Sequence, residues 1–309
     1  MRIVNAFPDE VAFGTRLRGI AGEAIEAGAG GLVILGSGAI PLATAADLAR
    51  FVHAADGAAG RALANNRYSA DIIALSDARV LERVPGDLPD DNALPRWLAE
   101  DAGYVVDDLR ARWRLALDLD SAQDLMFLDR SRRAIAPDLV ARFEERLARV
   151  RAVASDARAE LLIHGRTSAA TLAHLESNAA ARVRALVEER GMRTAPPRQR
   201  PSRSVIGTAL ELGGPGTLGT LLARFGDAAV VDTRVLLAHR LGRDERRWPA
   251  PEDRHASDLL LPERVRDPWL RALTASAANA VIPVLLGGHT LVGPGLRILI
   301  GAGTRGVAP

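Results

Sequence analysis

Neither lysine nor cysteine occurs anywhere in the 309 residues, so all 40 basic side chains are arginine. The lack of lysine excludes Schiff-base and pyridoxal phosphate chemistry, the lysine of a GxxxxGK[ST] phosphate loop and any lysine general base. The lack of cysteine removes thiolate nucleophiles, iron–sulfur clusters and thiolate zinc sites, and leaves the redox compartment open. Aromatic residues make up 4% of the chain. Trp97, Trp113, Trp248 and Trp269 read as core or interface anchors, with no paired platform for single-stranded nucleic acid. No apolar run reaches the roughly 18 residues of a membrane span, and MRIVNAFPDE lacks the basic-then-apolar pattern of a signal peptide. A cytoplasmic protein is expected.

What is present is an ordinary globular composition, 48% hydrophobic and 25% charged, with a formal net charge of +2. That small total hides an asymmetry. Residues 1–128 hold 12 Arg against 19 acids, a net of −7, and residues 129–309 hold 28 Arg against 19, a net of +9. A change of sign at one point predicts two domains with different ligands or faces.

The hydrophobic pattern predicts an α/β chain of two domains, 1–133 and 134–309, each a mostly parallel sheet with flanking helices. In the first, strands are expected at Leu32–Leu35, Asp71–Leu75 and Trp113–Leu119, with helices from Thr44 to about residue 55 and from Ser121 to Leu128. Pro137 and Asp138 open a long amphipathic connecting helix on which Leu139, Val140, Phe143, Leu147, Val150 and Val153 share a face. Beyond it, strands are expected at Glu160–His164, Arg182–Val187, Ala228–Asp232 and Ile282–Leu286, in a Rossmann-like order, with a Pro/Arg loop over 193–203 expected to be exposed.

Several residues are candidates for chemistry. Asp118 and Asp120 alternate along the expected third strand, where two carboxylates hold Mg²⁺ or, equally, form a solvated capped turn. Gly36, Ser37 and Gly38 stand between a strand and a helix, which suits either an anion cradle or a tight structural turn. Asn65, Asn66 and Asp71 are positioned to read a sugar or base, or simply to turn the chain.

The string LDLDSAQDL, residues 117–125, resembles the [LI]D[IL]DTPEDL ending of the GT-A-like nucleotidyltransferase superfamily, which includes molybdenum-cofactor and phospholactate guanylyltransferases. Residues 32–44, LVILGSGAIPLAT, resemble that family's VVVGxDxPLLT, with Pro41, Leu42 and Thr44 in register. Residues 65–71 fall where the family faces its acceptor substrate. The likeness covers about residues 13–128 and implies a nucleotidyltransferase-like first domain. It further implies a nucleoside triphosphate substrate, Mg²⁺ on Asp118 and Asp120, and transfer of a nucleotidyl group to a small phosphorylated or carboxylated acceptor. Two departures open an alternative. Ala39 stands where the family carries a metal-binding carboxylate, and Gly14-Thr15-Arg16 lacks the preceding glycines of the GGxGTR loop. A non-catalytic binder of a phosphorylated metabolite or partner fits those departures.

In the second half, Arg166, Arg190, Arg234 and His289 follow successive expected strands. If those strands are parallel and adjacent, the four line one edge, a site for a phosphate or carboxylate with Asp232 as orienting or metal-binding acid. Arg254 lies on a polar loop beside them. Asp232, Asp258 and His289 together suggest a third possibility, a metal-dependent hydrolase-like site, with His289 as ligand or general base. Expected partners are thus a small phosphorylated ligand and, for assembly, a second copy in a homodimer. Neither a membrane nor nucleic acid is expected, the arginines of the 193–203 loop reading as solvated.

Overall fold

The computed structural model describes residues 11–89, 91–128, 135–190 and 200–301. Two units, Met1–Asp118 and Leu119–Pro309, each carry one four-stranded sheet.

In the first unit the order of elements is α1 (Phe13–Glu26), β1 (Leu32–Leu35), α2 (Ala45–Ala55), β2 (Arg61–Ala64), β3 (Ile72–Leu75), α3 (Leu94–Glu100) and β4 (Val105–Asp108). Gly14 lies in the first turn of α1, where a Cβ would sit 1.9 Å from the Pro85 carbonyl oxygen. Only glycine admits that approach. The sheet order is β1-β3-β2-β4, with β3 antiparallel to both neighbours and β2 parallel to β4. It is therefore mixed and not mostly parallel. The cause is local: β2 and β3 are joined by the short connection 65–71, which can only return the chain antiparallel. Sequence reasoning missed β2, because Arg-Ala-Leu-Ala contains no β-branched or aromatic residue.

The strand expected at Trp113–Leu119 is also corrected. Trp113–Ala116 is a 3₁₀ turn, after which Leu117 is extended and Asp118 makes an isolated antiparallel bridge with Ala39. The helix expected at Ser121–Leu128 is a single 3₁₀ turn, Asp124–Phe127. The helix after Thr44 forms as expected and begins with a reciprocal cap. Thr44 Oγ1 accepts the Asp47 N–H at 3.2 Å while Asp47 Oδ2 accepts the Thr44 N–H at 3.0 Å. Such a cap contributes about 1 kcal/mol.

The second unit runs α4 (Pro137–Ala154), β5 (Glu160–Gly165), α5 (Ala169–Asn178), β6 (Arg182–Val187), α6 (Val205–Gly213), α7 (Leu218–Leu222), β7 (Ala228–Asp232), α8 (Thr233–Leu241), α9 (Pro251–Asp258), α10 (Pro268–Ala278), β8 (Val284–Gly287) and α11 (Leu296–Leu299). Its four strands are all parallel, in the order β6-β5-β7-β8. The three strands β5, β7 and β8 are buried on both faces and read as near-continuous apolar runs, as a covered parallel sheet requires. On α4, Phe143, Leu147 and Val150 are buried, and the helix packs on this sheet. Edge strand β6 alternates instead, with Arg182 and Arg184 both paired to Glu160 at 3.2 and 3.0 Å. Charge on an open edge opposes pairing with another chain. Of the expected 193–203 loop, only residues 200–203 fall within the described residues.

Candidate functional site

The second unit supplies the denser site. Its strand order reverses between β5 and β7, since β6 lies on one side of that pair and β8 on the other. In open parallel sheets the carboxyl ends at such a reversal leave a crevice. Here the two strand ends deliver Arg166, directly after β5, and Asp232, the last residue of β7. Gly165 has φ +123° and would place a Cβ 2.2 Å from that of Asp232, so its missing side chain is what lets the carboxylate tuck against β5. Arg166 Nε donates to Asp232 Oδ2 at 2.6 Å and its second nitrogen to Oδ1 at 3.1 Å. Asp232 Oδ1 also accepts the Arg234 N–H at 3.0 Å and so caps α8. Burial pushes the Asp232 carboxyl up. The Arg166 guanidinium, with Arg234 and His289 behind it, outweighs burial and holds the group below the ordinary carboxylate range.

Arg234 turns its own side chain the other way. Its guanidinium forms a two-pronged pair with Asp258, one bond being 2.7 Å, and donates to Thr233 Oγ1 at 2.8 Å. Asp232 and Asp258 are thus each held by an arginine fork, and the charges alternate from Arg166 to Asp258. Two carboxylates already engaged in this way suit a fixed electrostatic framework better than a cation site.

Beside this framework lies Asp124, which no sequence reading singled out. Its Oδ2 accepts the N–H groups of Asp120 and Ser121 at 3.0 and 2.8 Å and the Ser121 hydroxyl at 3.0 Å. Burial, with Asp258 and Asp120 nearby, pushes its carboxyl up to about 7. A buried aspartate titrating near neutrality beside fixed arginines is the kind of group found at functional sites. Its neighbour Gln123 donates to the Asp258 carbonyl at 3.2 Å, while the buried Gln123 Oε1 has no partner among the described residues. That oxygen lies against Gly287 at the tip of β8, where a Cβ would meet it at 2.5 Å. The signal for Asp124 was its position in Ser121-Ala122-Gln123-Asp124, a serine followed three residues later by an acid, but its burial was not legible there.

His289 follows β8 and Gly288. Its Nδ1 lies 3.7 Å from Asp120 Oδ2, and 36% of its side chain remains exposed. Desolvation and the Arg166 and Arg190 charges press the imidazole below its ordinary range, against the opposing pull of Asp120 and Asp232. It is neutral at pH 7, with one nitrogen able to accept a proton. Arg190 and Arg254 are shared by Glu245, Arg254 at 3.3 Å. Arg254 also stacks over Trp248, 5.7 Å from the ring centre. Arg166, Asp232, Arg234, Asp258, Asp120 and His289 are therefore linked at one edge, whereas Arg190 and Arg254 are anchored through Glu245.

A second polar group in this unit joins His164, Glu188 and Ser204. His164 Nε2 lies 2.8 Å from Glu188 Oε2 and 3.3 Å from Ser204 Oγ. A nucleophilic relay needs the acid and the serine on opposite ring nitrogens, and here both use one. Ser204 is the buried N-cap of α6, its Oγ accepting the Gly207 N–H at 2.9 Å. The group is structural.

In the first unit the three motif segments are tied to one another. The Gly36 N–H donates to the Asp71 carbonyl at 2.8 Å and the Ile40 N–H to the Leu117 carbonyl at 3.1 Å, beside the Ala39–Asp118 bridge. Asn65 Nδ2 donates to Asp71 Oδ2 and to the Leu115 carbonyl, both at 2.8 Å, while its Oδ1 accepts the N–H groups of Asp71 and Ile72. The side chain is 2% exposed and its hydrogen-bonding capacity is used internally, so Asn65 organises the connection and has nothing left for a ligand. Asn66 accepts the Tyr68 N–H at 3.0 Å, a local turn. Gly38, at φ +83°, turns the 36–39 segment, within which Gly36 and Ser37 are exposed.

Among the described residues, no three His, Asp or Glu side chains are grouped so as to hold a metal ion, and no helix is long and apolar enough to cross a membrane. Compared with known proteins, the chain matches no family model, no curated protein and no solved structure.

Proposed function

We propose that this protein binds a small phosphorylated or carboxylated metabolite at the carboxyl edge of the second unit's sheet, as a binding protein without nucleotidyl transfer. The observation that carries the reading is Arg166 at the reversal of strand order, whose Nε and Nη2 pair with Asp232 while Nη1 makes no hydrogen bond among the described residues. Its guanidinium is oriented by Asp232 and keeps 19% of its side-chain surface exposed beside the partly exposed His289. A guanidinium held in place by a buried carboxylate meets an anion without first losing rotamer freedom. Neutral His289 accepts a hydrogen bond from a monoprotonated phosphate or donates one to a phosphate oxygen. Thermal denaturation with inorganic phosphate, pyrophosphate and small phosphoacids tests this. A saturable rise in Tm in wild type that Arg166→Ala and His289→Ala abolish is expected, and the absence of any rise rules the reading out.

A second reading keeps the nucleotidyltransferase resemblance for the first unit. It is favoured by the direct hydrogen bonding among segments 36–40, 65–71 and 115–118, which are the segments that carry the resemblance. The donor set does not fit the Mg²⁺ that the resemblance implies. Ala39 offers no oxygen ligand where a carboxylate is needed, and it is to Ala39 that Asp118 is bridged. Binding of a nucleotide without turnover is the form of this reading that the residues support. Incubation with each nucleoside triphosphate, Mg²⁺ and phosphoacid acceptors decides it, since release of pyrophosphate would restore a catalytic role.

A further inference from the structure

The first unit contains a groove that neither reading uses. Helix α2 seats Phe51 and Ala55 among the core residues Ile72 and Ala74 of β3. Beside it, over β2 and β4, a cavity of about 700 Å³ opens on the same face of the sheet. Its floor is apolar, formed by Ala46 and Ala49 of α2, Leu63 of β2 and Leu109 after β4. The register pairs Leu63 with Asp107, and alternation along β2 puts Arg61 on the same face as Leu63. That volume is in the range of sites for small organic ligands.

The charges around the floor are unequal. Arg50 and His53 project from α2 into the lining, and among the described residues neither has a hydrogen-bond or ion-pair partner. Arg61 is the third basic group, 2.5 Å from Asp107 and 52% exposed. Two arginines and a histidine thus face one carboxylate across an alanine and leucine surface. An apolar wall with surplus guanidinium charge at its rim complements a ligand that carries both properties. We propose that this groove binds an amphiphilic organic anion, with its apolar body on the alanine face and its carboxylate, sulfonate or phosphate head between Arg50 and Arg61. The site is independent of the anion site in the second unit.

The experiment uses two fluorescent probes on the full chain. 8-Anilino-1-naphthalenesulfonate supplies the apolar body with an anionic head, and N-phenyl-1-naphthylamine supplies the same body without charge. Wild type is expected to bind the anionic probe saturably and at least about tenfold more tightly than the neutral one. Arg50→Glu should remove most of that difference. Ala49→Trp fills the groove from an exposed helix position and should abolish binding of both probes at unchanged Tm. Arg184→Ala, which removes an exposed arginine of the other unit, should bind both probes as wild type does. The proposal is overturned if the anionic probe does not saturate, if the two probes bind equally, if Ala49→Trp binds like wild type, or if Arg184→Ala abolishes binding.

Discussion

Arg166 Nε and Asp232 Oδ2 are 2.6 Å apart across the ends of two adjacent parallel strands, the arginine partly exposed and the aspartate wholly buried. Each has one reason to be there. Asp232 holds the guanidinium in place, and the guanidinium keeps the buried acid ionised. Removing the arginine leaves that acid without its principal counter-charge, so Arg166→Ala should cost about 3 kcal/mol, at the low end for a buried pair because Arg166 retains some solvent contact. The pH dependence also changes sign. In wild type the lowered Asp232 pKa contributes stability above the unfolded value, which is lost as pH falls through the folded one. In the variant, burial acts unopposed by Arg166 and raises that pKa. The loss measured by urea denaturation should therefore be larger at pH 8 than at pH 5.

Gly165→Ala tests the same contact from the backbone side. The added Cβ would fall 2.2 Å from that of Asp232, at a φ of +123° that a side chain rarely adopts. Neither strand can withdraw without breaking the ladder that pairs Gly165 with Val187. A loss of about 3 kcal/mol or more, or failure to fold, is expected. An Ala variant with wild-type Tm would show that the two strand ends are not packed this closely.

Asp124 makes an opposite prediction with pH. Its folded pKa is raised to about 7, above its value in an unfolded chain, so the folded state binds the extra proton. Its contribution is most favourable below about pH 4 and declines as pH rises towards 7, by on the order of 4 kcal/mol in total. Asp124→Asn keeps an oxygen for the Asp120 and Ser121 N–H groups and removes the titration. The variant should be more stable than wild type at pH 8 and nearly equal to it at pH 4. Thermal melts across that range decide the matter, and parallel wild-type and variant profiles would contradict it.

Asp47 belongs to the other unit and behaves in the ordinary acidic manner. Hydrogen bonds from Thr44, then the Arg112 pair, hold its carboxyl down to about 2 despite full burial of the side chain. Its stabilisation is present above the unfolded pKa and is lost as pH falls from about 4 towards 2. Asp47→Ala removes the reciprocal cap and strands Arg112, at a cost of about 2 kcal/mol near pH 7. The gap between variant and wild type should narrow progressively in acid, as followed by circular dichroism.

Arg184→Ala provides the contrast. The side chain is 49% exposed and shares Glu160 with Arg182. A change within about 0.5 kcal/mol is expected, because an exposed pair is screened and its partner keeps a second arginine.

Much of the second unit was legible in the chain itself. The runs at 160–165, 182–187 and 228–232 are apolar enough to be strands, and they form β5, β6 and β7. The arginines at strand ends could be named in advance, but their partners could not, since Asp232 and Asp258 meet Arg166 and Arg234 only after the sheet has formed. In the first unit the error ran the other way. Trp113–Leu119 looks like a strand by composition, yet Arg112 is drawn to Asp47 and the segment turns through a 3₁₀ helix instead. The strand β3 was expected, but its antiparallel direction was not, because its partner β2 carries no strand signal of its own.

Composition and short-range pattern were enough for the class of the protein: an α/β chain without lysine or thiol chemistry, acidic in its first part and basic in its second, with a helix starting at Thr44 and apolar runs that form strands. Those properties depend on composition and on neighbours a few residues apart. Long-range packing set the direction of β3, the reversal of strand order that brings Arg166 to Asp232, and the burial that raises the Asp124 carboxyl. Each of these depends on groups distant in the chain, and a side chain's charge state follows from the solvent and counter-charges that folding leaves around it.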